Sequence, residues 1–122
     1  MSRAKGMILE AKAAQYLAQK GYRILERNYT TKFGEIDIVA IDADTLVFVE
    51  VKYRAHSDFG MGYEAVRGDK LKKLERTMWH YIKAHACHLP HNYRLDVISI
   101  DGPDIDTADL KHFTHVPLNH KF

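Results

Sequence analysis

Two neighbouring segments carry carboxylates and a lysine at a spacing that could hold a metal ion. Glu35 and Asp37 lie two residues apart, and Glu50 and Lys52 repeat that spacing further along the chain. Both segments are rich in β-branched residues, alternate with a period of two and are joined by polar residues 42–45. They therefore predict an antiparallel β-hairpin with charged groups among its apolar residues.

A symmetric connector would place Asp37 directly across from Glu50 and Glu35 directly across from Lys52. Because successive side chains of a strand change faces, all four are then expected on the same face as Phe48. Like charges directly opposite each other on a sheet repel, so a cation is expected between the two carboxylates.

Hard carboxylate oxygens at this separation suit Mg²⁺ or Mn²⁺, which also take ligands from water and from substrate phosphate. The Lys52 ammonium would then orient a water molecule or stabilise developing negative charge. The alternative is a pair of ordinary cross-strand ion pairs, Glu50 with Lys52 or Glu35 with Lys52, on a solvated sheet face.

A longer pattern resembles a known group of proteins. Asp37 followed by Glu50-Val51-Lys52 resembles the PD-(D/E)xK nuclease signature of restriction enzymes and archaeal Holliday-junction resolvases. The whole pattern is similar to the YraN-like bacterial family, which is placed in that superfamily, and Leu9 departs from it where Gly is common. The matching residues are Glu10, Ala13-Ala14, Tyr16-Leu17, 21–25, Arg27-Asn28, 34–37, 48–52, Arg54 and 94–97.

This resemblance implies a restriction-endonuclease-like α/β fold and a resolvase-like nuclease that depends on Mg²⁺ or Mn²⁺. It implies Asp37, Glu50 and Glu10 as metal ligands, Lys52 as the catalytic lysine and Glu35 as a supporting carboxylate. By residue pattern alone Glu10 would be solvated beside the apolar stripe of its helix, and the resemblance is what directs it inward.

The elements that would position these residues follow from periodicity and capping. A helix is predicted from Ser2 to Lys20, with Leu9, Ala13, Ala14, Leu17 and Ala18 as its apolar stripe, and a second helix is predicted over 69–86. Strands are predicted over 21–29, along the hairpin, over 92–100 and, as a possible edge strand, over 113–118. This order predicts one α/β domain, 1–122, in which helices flank a mixed sheet.

Several residues around the hairpin are suited to phosphate or base contacts. The glycine-containing stretch 55–62 follows the hairpin, and loops on a rigid sheet often contact substrate; the alternative is a flexible connector. The lysines at the start of the second helix could neutralise phosphates or could form a solvated face. Asp96 is expected to be a structural partner of Arg94 or of a lysine in that helix. The candidate nucleic-acid contacts are Arg54, His56, Tyr63, Arg67 and Lys70.

Composition limits the class of protein. The net charge of +2 and eight histidines are compatible with a polyanionic partner without requiring one. The single Cys87 excludes an internal disulfide, and no apolar run is long enough for a membrane span, so a cytoplasmic location is expected. The expected partner is nucleic acid, with DNA favoured over RNA, and both monomer and homodimer remain open. The alternative function is a non-catalytic nucleic-acid-binding protein that retains the nuclease fold.

Overall fold

The computed structural model describes residues 3–55 and 66–119, which form a five-stranded mixed sheet flanked by two helices. The sheet order is β1-β2-β3-β4-β5; β3 and β4 are parallel, and the other neighbours are antiparallel. This confirms the predicted mixed α/β class. Neither described helix is long and apolar enough to cross a membrane. The elements are α1 (Arg3–Gln19), β1 (Arg23–Thr31), β2 (Gly34–Asp42), β3 (Thr45–Arg54), α2 (Gly68–His85), β4 (Asn92–Asp101) and β5 (Asp109–Phe113).

Each helix covers one face of the sheet. Helix α1 buries Leu9 and Leu17 against a layer that contains Ile38, whereas α2 buries Met78 against a layer that contains Phe48. The stripe predicted for α1 is correct except at Ala18, which is exposed. Ala18 follows the buried Leu17 by one residue, which is a rotation of about 100° around the helix and away from the sheet.

The C-terminus of α1 is fixed by a glycine. Gly21 has φ of +92°, a left-handed conformation that a residue without Cβ adopts without steric cost. The N–H of Tyr22 donates to the Leu17 carbonyl at 3.0 Å, and the N–H of Gly21 donates to the Ala18 carbonyl at 3.0 Å. These two bonds satisfy carbonyls at the helix end and direct the chain into β1.

The predicted register of the β2–β3 hairpin is confirmed from Asp42–Thr45 to Ile38–Val49, where the backbone pairing ends. Beyond that point the Asp37 carboxylate accepts the N–H of Val51 at 2.7 Å. The predicted direct pairing of Asp37 with Glu50, and of Glu35 with Lys52, is therefore wrong, because a side chain has taken the hydrogen bond that would continue the ladder.

Strand β2 also changes its alternation at Asp37. Ile36 packs in the α2 layer together with Val39, although an unbroken strand would place these two residues on opposite faces. On the neighbouring strand Asn28 has φ of +55°, a turn-like conformation that asparagine tolerates. The prediction that Glu35 shares only the face of Phe48 is therefore wrong: Glu35 lines both a cavity beside α1 and a cavity beside α2.

The last strand lies earlier than predicted. Strand β5 spans Asp109–Phe113, whereas a strand over 113–118 was expected. His115 has φ of +57°, which ends the strand, and its N–H donates to the Asp96 carboxylate at 3.2 Å. A single backbone bond from Val116 to the Leu95 carbonyl, at 2.8 Å, then returns the chain to β4.

Asp96 is the structural partner of Arg94, as predicted. Its buried carboxylate accepts the Arg94 Nε–H at 2.9 Å and contacts His112 Nε2 at 2.7 Å. Burial alone would raise the pKa of Asp96, but the hydrogen bonds with His112 and Arg94 outweigh it and lower the pKa below its usual value. This cluster connects β4 with β5.

We expect Asp96→Asn to lower the free energy of unfolding by about 1–3 kcal/mol near neutral pH, because the substitution removes the buried one of the two carboxylates that pair with Arg94 and leaves only the half-exposed Asp42 at 3.1 Å. A carboxylate whose pKa is lower in the folded than in the unfolded state stabilises the fold at pH values above the unfolded-state pKa. That contribution is lost as the pH falls through the folded-state pKa. The loss should therefore shrink in acid. Urea denaturation across pH measures it, with the exposed Asp109→Asn as control; equal stability of both variants would contradict this role.

Candidate functional site

Three carboxylates meet where β2 leaves β3. Glu10 from α1 and Glu35 and Asp37 from β2 each offer one oxygen, and these oxygens lie within 4.8 Å of one another. Among residues 3–55 and 66–119 this is the one group of three or more acidic, histidine or cysteine side chains close enough to hold a metal ion. We name Glu10, Glu35 and Asp37 the acidic cluster.

A lysine pair lies on the other side of Asp37. Lys70 Nζ is 3.1 Å and Lys52 Nζ 3.4 Å from the same Oε1 atom of the buried Glu50. Lys52 and Glu50 share a face of β3, as the strand alternation predicted. Glu50 is held by cations, whereas Glu35, predicted only as a supporting carboxylate, joins the possible ligand set.

The electrostatics of the acidic cluster are unfavourable. Burial and then the charge of Glu50 raise the pKa of Asp37 to about 8, and the Val51 N–H opposes this rise only in part. Partial burial, with the charges of Glu10 and Glu50, also raises the pKa of Glu35. Burial is the larger cause of the raised pKa of Asp37 and of Glu35, and the like charges of their neighbours add to it.

The pKa of Lys52 is lowered below its usual value. Burial lowers the pKa of Lys52, and the Lys70 ammonium beside it lowers that pKa further, although Glu50 acts in the opposite direction. A lysine of this kind can exchange a proton more easily than a solvated one. The site thus places a lysine with a lowered pKa next to the Glu50 carboxylate.

The acidic cluster lies between two cavities. One, of about 300 Å³, is lined by Glu35, Asp37 and Glu50 together with Gly34 and by residues 70, 73 and 74 of α2. The other, of about 450 Å³, is lined by Glu10 and Glu35 with Gly6, Met7, Asn28 and Thr30. An extended ligand could therefore occupy both sides of the carboxylates.

The three predicted nucleic-acid contacts within the described residues have different environments. Arg54 donates to Asp101 through Nε and Nη2, both at 3.0 Å, so these two donors are committed to a structural ion pair. Arg67 is exposed directly before α2, and Lys70 is held by Glu50. The phosphate role of each stays a prediction, and His56 and Tyr63 lie outside the described residues.

Lys73 is a residue that the sequence did not single out. It lines the smaller cavity beside Lys70, whereas the lysine run of α2 left open which members face the site. Residues 70 and 73 are three apart, a helical spacing that puts both on one side of α2. That spacing is the feature of the sequence from which the position of Lys73 beside the site could have been predicted.

We expect the Asp37 carboxyl to make the metal-free protein less stable as the pH rises through neutrality. A carboxyl whose folded-state pKa is raised, here to about 8, stabilises below its unfolded pKa and loses that contribution as pH rises through the folded value. In EDTA, Asp37→Asn should therefore melt several degrees above the wild type at pH 8 and much closer to it at pH 4, because the amide cannot ionise. A change of 1 kcal/mol shifts the melting temperature of a domain of this size by roughly 3–6 °C.

Thermal melts of both proteins across this pH range test the expectation. Asp44→Asn, in the exposed turn of the hairpin, is the matched control and should follow the wild type at every pH. A difference between Asp37→Asn and wild type that stays constant with pH would contradict the raised pKa.

Comparison with known proteins places the chain among bacterial relatives. Residues 9–100 match the model described as "Uncharacterised protein family UPF0102". The chain is 44% identical over 111 residues to the UPF0102 protein of Psychromonas ingrahamii, covering 91% of this chain and 89% of the relative. It is 41% identical over 102 residues to that of Stutzerimonas stutzeri, covering 84% and 85% of the two chains. The resemblance to the YraN-like family is thereby confirmed, and the chain belongs to the UPF0102 family.

Proposed function

We propose that this protein is a divalent-metal-dependent nuclease that hydrolyses phosphodiester bonds in nucleic acid, in the manner of a resolvase. One observation carries the proposal. The carboxylates of Glu50, Asp96 and Asp101 are paired with described cations, whereas no described cation lies within ion-pair distance of the carboxylates of the acidic cluster.

The contrast between the two kinds of carboxylate appears in their acidities. The Arg54 guanidinium lowers the pKa of Asp101, and the hydrogen bonds of Asp96 lower its pKa in spite of burial. Asp37 and Glu35 have raised pKa values instead. A fold gains nothing from uncompensated carboxylates, so this arrangement supports a site for a cation supplied from solution.

The donor chemistry fits a hard divalent ion. Glu10, Glu35 and Asp37 supply oxygen atoms alone, the donors that Mg²⁺ and Mn²⁺ prefer. Glu50 is a further candidate ligand, since both lysines use Oε1 and neither ion pair involves Oε2. When bound, the ion would supply Lewis-acid chemistry and charge neutralisation at a phosphodiester.

The lysines would act on the phosphate rather than on the ion. Lys52 and Lys70 converge on Glu50 at the edge of the smaller cavity, where a phosphodiester would enter. A positioned ammonium group stabilises charge that develops in the transition state, and the lowered pKa of Lys52 suits it to orient a water molecule. Asp37 would meanwhile hold the geometry of the strand end through Val51.

The substrate is best identified by a cleavage panel. Branched, duplex and single-stranded DNA, together with RNA of the same sequences, should be incubated with Mg²⁺ or Mn²⁺ and with EDTA. The proposal expects metal-dependent cleavage of at least one DNA substrate, and the resemblance to resolvases favours the branched one.

On that substrate we expect Lys52→Ala to reduce cleavage by about 10²–10³-fold, the usual cost of losing one preorganised charge at the transition state. Metal binding and folding should be retained, because Lys70 remains at Glu50. Single-turnover cleavage and Mn²⁺ calorimetry measure the two properties separately.

Lys111→Ala is the matched control, because Lys111 is also a lysine paired with a carboxylate, Asp101 at 3.6 Å, but is half-exposed and lies on β5, away from the acidic cluster. It should cleave like the wild type. A non-catalytic binding protein would instead cut no member of the panel and bind nucleic acid in EDTA. Equal cleavage by wild type and Lys52→Ala would remove the role proposed for this lysine.

A further inference from the structure

A second group of cations lies beside the site, where the turn between β1 and β2 contacts α2. Lys32 Nζ lies 5.3 Å and Arg76 Cζ 5.8 Å from the centroid of the Phe33 ring. Lys73, also on α2, is exposed one turn before Arg76. We name Lys32, Phe33, Lys73 and Arg76 the cationic ridge.

The turn is packed against the helix and not merely near it. A Cβ atom at Gly34 would lie 3.4 Å from Thr77 Oγ1 and 3.8 Å from Lys73 Cβ. The adjacent Phe33 is thus held close to α2 and gives two cations from different elements a common aromatic surface. Such contacts orient a cation without neutralising it.

The ridge keeps its positive charge. Within the described part of the chain, Lys32, Lys73 and Arg76 form no ion pair with a carboxylate. Lys52, Arg54 and Arg94 each do. Three neighbouring cations repel one another, and an anion with several charges would relieve that repulsion.

The ridge is continuous with the site. Lys73 and Gly34 line the same cavity of about 300 Å³ as Asp37, Glu50 and Lys70. A nucleic-acid strand with one phosphate in that cavity would therefore leave the cavity past Lys73 and reach Arg76 and Lys32. The ridge extends the site on the side of α2, away from the cavity beside α1.

We propose that the cationic ridge binds the phosphodiester backbone of the nucleic acid that flanks the cleaved bond. This inference rests on the proposed function and extends it by a defined path for the substrate. Lysine and arginine with an interleaved aromatic ring match a polymer that carries one charge per nucleotide. An acidic protein segment is the competing partner, but it would not need a path that starts at a metal-type carboxylate site.

Binding in EDTA tests the ridge apart from catalysis. Fluorescence anisotropy would follow the binding of a labelled single strand of about 30 nucleotides, which is longer than a typical single-strand site of ~4–16 nucleotides. The blunt duplex of the same sequence would be measured in the same way, and both across a range of salt concentrations. The variants are Lys73→Ala, Arg76→Ala and their combination. Arg23→Ala is the control, because it removes an exposed charge at the far end of β1, where Arg23 pairs with Ile41.

Each ridge variant should flatten the slope of log affinity against log salt by about 0.7 on the single strand or 0.9 on the duplex, and the double variant by about twice as much. Arg23→Ala should leave the slope unchanged. Phe33→Leu should weaken binding with the slope retained, because it removes the ring that orients the cations but none of their charge. The two probes reveal which form of nucleic acid follows the ridge.

Slopes of the ridge variants equal to that of Arg23→Ala would overturn the proposal. Displacement of either probe by polyglutamate at equal charge concentration would also overturn it, in favour of an acidic protein partner. A wild type that cleaves nothing with Mg²⁺ would remove the proposed function and leave this measurement intact. If the ridge variants keep the wild-type slope while the wild type cleaves normally, the proposed role of the cationic ridge is wrong and the proposed nuclease function still stands.

Discussion

The hydrogen bond from the Val51 N–H to the Asp37 carboxylate, at 2.7 Å, is the contact on which the site depends. It takes the place of a backbone bond between β2 and β3, so their pairing stops at Ile38 and Val49. The end of β2 is then free to turn Glu35 toward α1, where Glu10 is located. A hairpin paired to its end would have kept these carboxylates on one surface and apart from the helix.

Charge is distributed unequally across the sheet as a consequence. Asp96 and Asp101 are buried with cations and have lowered pKa values, and they connect β4 with its neighbours. Asp37 has a pKa raised to about 8 by its burial and by the charge of Glu50, and no described cation lies within ion-pair distance of its own carboxylate. Buried charge is tolerated only when it is paired, so Asp96 and Asp101 stay ionised beside their cations, whereas Asp37 keeps its proton near neutral pH; in the proposed function a divalent cation would take the place of that proton.

Local patterns predicted most of this arrangement. The hairpin register as far as Ile38 and Val49, the two helices and the pairing of Asp96 with Arg94 follow from alternation, helical period and charge, which are properties of neighbouring residues. The position of Glu35 could not be predicted from these patterns. It depends on the Asp37 carboxylate, which replaces a backbone hydrogen bond and cannot be recognised in that role before the strands are assembled. The position of β5 failed for a similar reason, since Asp96 holds His115 in the turn that ends the strand.

We propose that the acidic cluster binds a divalent metal ion in place of the proton that Asp37 carries near neutral pH. Binding of Mn²⁺ must then displace the proton, because metal ligands are deprotonated. Calorimetric titration at pH 7 in buffers of different ionisation enthalpy measures this proton release. We expect the wild type to release about one proton more per bound Mn²⁺ than Asp37→Asn, in which only the raised pKa of Glu35 can contribute to proton release. Mn²⁺ binding without proton release, or no binding by the wild type, would contradict it.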